Sequence, residues 1–251
     1  MTFDAEQTTA SAEISPLLRF FQRRDRLGRE EQALIEALPL RTQRFRRGDE
    51  IIRQHSRPLE SCLILDGFAA RLLHMADGKR QITAVHIPGD FVDLHGLLLK
   101  VMDHSVTAVS DCRAAFVPHP AIIQLAEQAP HIGRLFWMST TIDAAIQRAW
   151  IGCLGRRSAV THLAYLICEM YLRLNAVDLA SDNRMGLPVT QSEMSDILGL
   201  SAVHVNRVVQ ELRRTGLISW VKGEVTILDF DRLTEFADFD PTYLNLMRQP
   251  R

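Results

Sequence analysis

The spacing of apolar residues changes along the chain and divides it into segments of different structure. Between Arg41 and Pro118, short apolar runs alternate with turn sequences, the runs being 61–65, 69–73 and 81–87. The turn glycines are Gly48, Gly67, Gly78 and Gly89, which are spaced 11 to 19 residues apart. Regular turn signals between short apolar runs predict an all-β barrel or jelly roll. From Ala121 onward the apolar residues recur at helical intervals, so the structure is predicted to become mainly helical.

A long helix is predicted over residues 131–154, after a shorter helix that Pro130 interrupts. Its apolar and small residues repeat at alternating steps of three and four; they are Leu135, Met138, Ile142, Ala145, Ala149 and Gly152. Such a seam of about three heptads predicts pairing with the same helix of a second copy, and therefore a two-fold homodimer. The alternative is that this face packs on the barrel of its own chain. Gly152 and Gly155 predict an interruption that would serve as a hinge.

Shorter elements are predicted on either side of these two segments. Two short helices, at Leu17–Phe21 and Glu30–Leu38, follow a polar tail that we expect to fray. A strongly apolar helix is predicted over Val160–Leu174, and the polar segment Ala176–Gly186 after it is predicted to be a mobile loop. A last short helix is predicted within residues 230–239, and the final residues are expected to fray.

Two helices joined by a tight turn are predicted between Thr190 and Thr215. The first helix begins after Thr190, and Glu193, three residues later, completes a capping box. Gly199 ends this helix, because glycine takes the left-handed conformation at a helix C-terminus without steric cost. Ser201 can cap the second helix. The apolar positions on the core face of the second helix are Val205, Val208, Val209 and Leu212.

A β-hairpin is predicted directly after the second helix. Ile218–Val221 and Glu224–Ile227 alternate between apolar and polar residues around the two-residue turn Lys222-Gly223. Helix, tight turn, helix and hairpin in this order are the layout of a winged helix-turn-helix. That module places its second helix in the major groove of DNA.

The residues outside this apolar core are predicted to contact DNA. They are Thr190, Gln191 and Ser192 at the start of the first helix, Ser201, Ala202, Val203, His204, Asn206, Arg207 and Gln210 at the start and along the outer face of the second, and Lys222 in the hairpin. Arg207 can donate two hydrogen bonds to guanine O6 and N7, whereas Val203 can only make apolar contact, for example with a thymine methyl. Arg207, Arg213, Arg214 and Lys222 outnumber the single acid Glu211 between residues 201 and 222, which suits a phosphate-facing surface.

The segment Val189–Ile227 resembles the C-terminal module of the Crp/Fnr family of bacterial transcription regulators. With the glycine-punctuated β segment in front of it, the resemblance covers residues 17–235. It implies a cyclic-nucleotide-binding-type barrel, a homodimer on inverted-repeat DNA, and contacts with RNA polymerase in regulators that activate. The family's second helix usually carries a Glu three residues before a Gly-Arg or Ser-Arg pair. Here Val203 stands three residues before Asn206-Arg207, so the family's familiar half-sites do not carry over.

The resemblance also gives candidate residues for an effector pocket. In cAMP-binding relatives, a Gly-Glu pair and, about ten residues later, an Arg-Ser pair hold the cyclic phosphate. Here the Pro88-Gly89-Asp90 turn is present, but the two pairs are Asp93-Leu94 and His104-Ser105. An added carboxylate and a lost guanidinium both disfavour a phosphate, so no cyclic nucleotide is expected. The alternative is a packed barrel with no small ligand.

Composition excludes other mechanisms. The four cysteines, Cys62, Cys112, Cys153 and Cys168, show no C-x-x-C spacing, and none lies in the N-terminal segment where the family's oxygen sensors cluster them. The scattered cysteines therefore argue against a zinc site, an iron–sulfur cluster and disulfides. Their spacing fits a protein in a reducing cytosol. Seven of nine histidines lie in or beside the barrel without a paired spacing, so neither haem nor metal is supported. The net charge is −1, so DNA affinity must come from a local patch.

Together these observations predict an α+β protein: an N-terminal β jelly-roll barrel, a long dimerisation helix and a C-terminal winged helix-turn-helix. The expected divisions are a flexible tail (1–16), a sensor barrel (17–130), the dimerisation helix with its hinge (131–155), the DNA-binding domain (156–235) and a C-terminal tail (236–251).

The predicted function is that of a cytoplasmic, sequence-specific transcription regulator. Its partners would be double-stranded DNA, a second copy and RNA polymerase, with no membrane. The alternative is a ligand-binding signalling module whose helical C-terminus binds protein rather than DNA. No arrangement of nucleophile and base, paired carboxylates or phosphate loop indicates an enzyme.

Overall fold

The computed structural model describes residues 14–250, so most of the tail predicted for residues 1–16 lies outside the described residues. The chain forms two compact units. One comprises residues up to 71, residues 85–143 and the segment from Asn245; the other comprises Leu72–Ala84 and Ala144–Leu244.

The elements follow one another with short connections. In chain order they are α1 (Ser15–Gln22), α2 (Arg29–Glu36), β1 (Arg41–Phe45), β2 (Glu50–Ile52), β3 (Glu60–Asp66), β4 (Ala69–His74), β5 (Arg80–His86), α3 (Gly96–Leu99), β6 (Ser105–Ala108), β7 (Cys112–Pro118), α4 (His119–Gln128) and α5 (Pro130–Arg156). They continue as α6 (Ala159–Asn175), β8 (Ala180–Ser181), β9 (Arg184–Gly186), α7 (Gln191–Leu198), α8 (Ala202–Arg214), β10 (Ile218–Val221), β11 (Glu224–Ile227), α9 (Phe230–Ala237) and a 3₁₀ helix (Pro241–Leu244).

Two antiparallel sheets form the β segment and confirm the predicted jelly-roll barrel. Their strand orders are β1-β7-β3 and β2-β6-β4-β5. Both sheets contribute to one apolar core, which contains Phe45, Ile52, Cys62, Ile64, Ala69, Val92, Met102, Val106, Ala108, Cys112, Ala114 and Phe116. These small and medium side chains fill the space between the sheets, and burial of their apolar surface stabilises the barrel.

Two of the predicted turns require glycine for steric reasons. Gly67 has a φ of +77°, and a Cβ at this position would collide with the backbone of Asp111 and Cys112. Gly89 has a φ of +96°, and a Cβ there would lie 2.7 Å from the carbonyl oxygen of Pro16. The Pro88-Gly89-Asp90 turn is therefore fixed by close contact with the first turn of α1.

The helix α5 is continuous, so the predicted interruption at Gly152 and Gly155 is wrong. It spans 27 residues, and the N–H of Arg157 still donates to the carbonyl of Cys153 at 3.1 Å. Glycine lowers helix propensity by only about 1 kcal/mol, which the flanking turns of a long helix can offset. The chain breaks instead at Ser158, whose hydroxyl caps α6 by accepting from the N–H of Thr161.

The predicted seam of α5 is mostly buried within a single chain. Leu135, Met138 and Ile142 are all less than a tenth exposed, and Ala145 and Ala149 are half-buried. Leu135, Met138 and Ile142 therefore pack on their own chain, whereas Gly152, at the end of the seam, is exposed. A different row, two or three residues further along the helix, is largely exposed and also repeats at alternating steps of four and three. Trp137, Thr141, Arg148, Ile151 and Gly155 are exposed in this row, and Ala144 is half-buried.

The segment 176–186 forms a hairpin rather than the predicted mobile loop. Asp182 and Asn183 both have positive φ, as a tight two-residue hairpin turn requires. Strand β9 pairs antiparallel with β11, with Met185 opposite Val225. The wing is thus part of a four-stranded sheet in the order β10-β11-β9-β8.

Parts of the C-terminal segment predicted to fray instead make defined contacts. Phe239 and Leu244 are buried. The guanidinium of Arg248 donates two hydrogen bonds to the carbonyl of Gln22, at 2.6 and 3.0 Å. Apolar burial and these hydrogen bonds give the last residues the contacts that a frayed end lacks.

A charged cluster joins α2 to the start of α5. His131 contacts Glu31 through Nδ1 at 2.6 Å and Asp25 through Nε2 at 3.2 Å. Burial by itself would lower the pKa of His131, but hydrogen bonds and attraction to the two carboxylates raise it above its usual value. Protonated His131 therefore stabilises this part of the fold.

Replacing His131 with Gln should remove a pH-dependent part of the stability. Because the pKa of His131 is raised in the folded state, its contribution is complete below about pH 6.5 and is lost as the pH rises through the raised pKa. We expect the variant to unfold more easily than the wild type by about 1–2 kcal/mol at pH 5.5. Urea denaturation at pH 5.5, 7 and 9 should show the difference shrinking.

The matched control is His74→Gln, because His74 is exposed at the end of β4. An equal stability difference at all three pH values for His131→Gln would contradict the role given to the protonated imidazole.

Candidate nucleic-acid interface

The helix-turn-helix has the capping geometry that the sequence predicts. The hydroxyl of Thr190 accepts from the N–H of Glu193 at 3.2 Å, and the Glu193 carboxylate accepts from the N–H of Thr190 at 2.6 Å. Gly199 ends α7 with a φ of +65°. Ser201 caps α8 by accepting from the N–H of His204 at 3.4 Å. These contacts fix the directions in which the two helices begin and end.

Helix α8 separates an apolar face from a polar one. Val205, Val208 and Leu212 are buried and pack toward α6 and α7, while Val209 is half-buried. The other predicted contact residues of α8 are all exposed: Ala202, Val203, His204, Asn206, Arg207 and Gln210. Ser201, Thr190, Gln191, Ser192 and Lys222 are exposed as well. The structure thus brings the predicted set to one module without covering any member.

The hairpin after α8 is a tight wing. Lys222 has a φ of +51° and Gly223 one of +82°, as in a type I′ turn, and Trp220 lies opposite Val225 in the ladder. A groove of about 240 Å³ lies between α7, α8 and the wing. Its lining includes Thr190, Gln191, Asn206, Gln210, Arg213 and Lys222. Donors and acceptors therefore line the space between the predicted recognition helix and the wing.

The basic residues of this surface are available for an external anion. Within residues 14–250, the side chains of Arg207, Arg213, Arg214 and Lys222 form no ion pair with a carboxylate and no hydrogen bond. Paired arginines would have to break an existing contact before binding phosphate. Here the positive charges are already free, which lowers the cost of binding a polyanion.

A buried carboxylate holds the base of this module together. Glu169 of α6 is fully buried and accepts from Trp150 Nε1 at 3.0 Å, from the Tyr243 hydroxyl at 2.7 Å and from Arg173 at 3.2 Å. Burial raises the pKa of Glu169, although Arg173, Tyr243 and Trp150 oppose this. The network joins the end of α5, α6 and the C-terminal 3₁₀ helix.

The four candidate effector residues are all buried. Asp93 accepts from the N–H of Cys62 at 2.7 Å, and Ser105 contacts Glu50 at 3.2 Å. Burial raises the pKa of Asp93 to about 7, in spite of that hydrogen bond and of nearby Arg71. Leu94 lines an apolar cavity of about 570 Å³. Asp93 Oδ1 and the Ser105 hydroxyl are thus engaged inside the fold, whereas Asp93 Oδ2 is buried without a hydrogen-bond partner among residues 14–250.

His104, the fourth candidate, lies beside a residue that the sequence analysis did not single out. Its ring centroid is 5.2 Å from that of His95, and its Nδ1 is 2.6 Å from Asp103 Oδ1. Burial and the charge of Arg71 lower the pKa of His104 to about 4, although Asp103 opposes this, and they also lower the pKa of His95. Only the fold brings together two histidines that are nine positions apart.

The cysteines are placed for packing. All four are buried. Burial raises the pKa of Cys153 to about 11 and those of Cys112 and Cys168 to about 12, and it raises that of Cys62 well above its usual value. Thiols held in their protonated form are poor nucleophiles and poor metal ligands.

No helix within residues 14–250 combines the length and the apolar character that crossing a membrane requires.

Comparison with known proteins agrees with this architecture. Residues 42–129 match the family described as the cyclic nucleotide-binding domain, and residues 161–236 match the Crp-like helix-turn-helix domain. The transcriptional activator protein FnrL of Cereibacter sphaeroides is 32% identical over 181 residues, which cover 70% of this chain and 72% of the relative. The nitrogen fixation regulation protein FixK of Bradyrhizobium diazoefficiens is 29% identical over 195 residues, covering 77% and 80%.

Solved structures show the same fold. FixK2 from Bradyrhizobium japonicum superposes with a TM-score of 0.71 at 23% identity, covering 79% of this chain and 98% of that one. The c-di-GMP responsive regulator CLP of Xanthomonas campestris gives a TM-score of 0.60 at 15% identity, covering 76% and 94%. With both domains matched in order and a relative above 30% identity, the chain belongs to the Crp/Fnr family of DNA-binding transcription regulators.

Proposed function

We propose that this regulator binds an inverted-repeat operator as a homodimer, with α8 of each copy in the major groove. The observation that carries the proposal is the exposed face of α8, where Arg207 stands unpaired beside Asn206 and Gln210. A guanidinium can donate in parallel to guanine O6 and N7, and the two amides can each pair with adenine. Operators of this kind lie on chromosomal DNA, so the protein acts in the cytoplasm.

Phosphate contacts would come from both sides of α8. Gln191 and Ser192 are exposed beside Thr190 at the N-terminal end of α7, where their side chains can donate to phosphate oxygens. Lys222 is exposed at the tip of the wing and can reach a second backbone segment. Ser201 and His204 lie between these two contacts. Such interactions fix the register of the helix but do not themselves read sequence.

The base preference should differ from that of relatives with Glu near the start of the recognition helix. Val203 is 75% exposed at this place. Its isopropyl group cannot accept from the exocyclic amine of cytosine but can contact a thymine methyl. Ala202 beside it is small enough to let α8 approach the bases closely.

Dimerisation would use the exposed row of α5. Trp137 is 74% exposed and Ile151 is 69% exposed, which is unusual for large apolar side chains. Thr141, Ala144 and Gly155 between and after them are small, so a second α5 can approach closely. Because two-fold symmetry relates the copies, the two α8 helices would meet half-sites about 34–36 Å apart.

The barrel is proposed to receive a signal that changes the affinity for DNA. Any effector must bind two states of the protein with different affinity in order to shift it. In activation, exposed surfaces of the bound dimer would contact RNA polymerase. The alternative of a protein-binding C-terminal module has no feature in its favour, since family membership accounts for the helix-turn-helix.

Arg207→Ala should weaken binding to the selected operator by about 1–3 kcal/mol and relax the preference for one guanine per half-site. The operator is first obtained by selection from random duplexes, and affinities are then measured by fluorescence anisotropy at fixed salt. Non-specific binding should change far less.

Arg29→Ala is the matched control, since it removes the same charge from an exposed helix position in the other unit. Equal losses in the two variants would mean that Arg207 acts only through net charge. A wild-type protein without any preferred sequence would overturn the proposal.

The double substitution Trp137→Glu and Ile151→Glu should weaken self-association at least tenfold, because four carboxylates would have to be buried in one interface. Sedimentation velocity would measure the monomer–dimer equilibrium. Affinity for the full inverted repeat should fall, and affinity for a single half-site should not.

Leu59→Glu provides the control, because Leu59 is 80% exposed but lies on the barrel. An unchanged dimer in the double variant would assign the interface to another surface.

A further inference from the structure

Three potential metal ligands converge around the short helix α3. His95 directly precedes this helix, and Asp103 and His104 follow it, immediately before β6. One nitrogen or oxygen atom from each of the three residues lies within 4.8 Å of the corresponding atoms of the other two. The two imidazoles among them suit divalent transition metals better than calcium or magnesium.

The imidazole of His104 has one nitrogen engaged and one without a partner. Its Nδ1 lies 2.6 Å from the Asp103 carboxylate, so Nδ1 carries the hydrogen and donates it. The other nitrogen, Nε2, then has a free lone pair. This atom is buried and has no hydrogen-bond partner within residues 14–250, and the whole side chain is only 5% exposed. A buried acceptor with no donor is costly unless something binds it.

We propose that His95 and His104 bind a divalent transition-metal ion, with Asp103 orienting His104 through Nδ1. The carboxylate–histidine–metal arrangement is the usual way in which proteins fix the tautomer of a metal-binding imidazole. His104 contributes Nε2, His95 contributes one ring nitrogen, and water or an exogenous ligand fills the remaining positions. The site is therefore open rather than fully enclosed by protein.

The geometry allows closure with modest movement. Two bonds of about 2.1 Å at a tetrahedral angle place the ligand atoms about 3.4 Å apart. At present one potential ligand atom of each residue lies within 4.8 Å of those of the other two, and the ring centroids of His95 and His104 are 5.2 Å apart. His95 is only half-buried, and the side chain of Asp103 is 77% exposed, so both can rotate without displacing the core.

Arg71 is the main electrostatic obstacle near this site. Its guanidinium is close enough to disfavour protonation of both imidazoles. The charge is compensated, because Arg71 donates to Asp143 at 2.9 Å and to the carbonyl of Val92 at 3.0 Å. An ion that bonds strongly to imidazole can tolerate the remaining repulsion, whereas a weakly bound ion cannot.

The proposed metal site lies in the effector region of the barrel and beside an apolar cavity. Residues 93–105 occupy the stretch where the resemblance locates an effector phosphate, and His95 also lines the apolar cavity of about 570 Å³. A metal ion with open positions at the edge of an apolar cavity could itself hold a small ligand. The metal site does not depend on the proposed operator binding, so each can fail without the other.

The test is a titration of tag-free, chelator-treated full-length protein with Co²⁺, followed by absorption spectroscopy and calorimetry, with Zn²⁺ as competitor. One Co²⁺ per chain is expected, displaced by Zn²⁺. His95→Gln and His104→Gln should each weaken binding at least tenfold, and Asp103→Asn should weaken it ten- to a hundredfold. His74→Gln should leave binding unchanged, because His74 is an exposed histidine elsewhere on the barrel.

Circular dichroism would identify any variant that fails to fold. If His104→Gln does not fold, the test uses His95→Gln and Asp103→Asn, since His95 is half-buried and Asp103 is exposed. Wild-type affinity in folded His95→Gln would overturn the site. So would absorption bands of cobalt–thiolate bonds, which would assign the ion to a cysteine, and so would the absence of stoichiometric binding.

Discussion

The burial of three side chains on one face of α8 is the constraint on which the function depends. Val205, Val208 and Leu212 pack toward α6 and α7, and this fixes the rotation of the helix about its axis. Because a helix has 3.6 residues per turn, fixing the inner face also fixes which residues face outward. Arg207 and its neighbours are exposed for that reason. The capped ends of α7 and α8 fix where these two helices begin and end.

Charge is distributed so that the same molecule can be nearly neutral and still bind a polyanion. The net charge of the chain is −1, yet the basic residues of α8 and the wing are unpaired within residues 14–250. Elsewhere, cations are neutralised: Arg71 by Asp143, and Arg173 by the buried Glu169. The four unpaired basic residues thus give this surface a local positive charge although the whole chain is almost neutral.

The barrel keeps the family's fold but changes the chemistry of its effector region. Asp93 and His104 replace residues that hold a cyclic phosphate in relatives, and both side chains turn inward. A buried carboxylate accepting from the N–H of Cys62 cannot at the same time make room for an anion. One fold can accept different ligands when its backbone is retained and the polar side chains of its binding site are replaced.

Short-range signals in the sequence determined most of this architecture. Caps at Thr190 and Ser201 and the Lys222-Gly223 turn depend on residues within four positions of each other, so local chemistry suffices to predict them. Tertiary structure decided which residues of α5 are free, because Leu135, Met138 and Ile142 of the apolar seam are buried within the chain. It also decided that residues 176–186 would pair with the wing, since such pairing depends on strands far apart in sequence. Tertiary structure also brought His95 and His104 together. A short helix and a turn separate these two residues, so no regular spacing in the sequence predicts that they are neighbours.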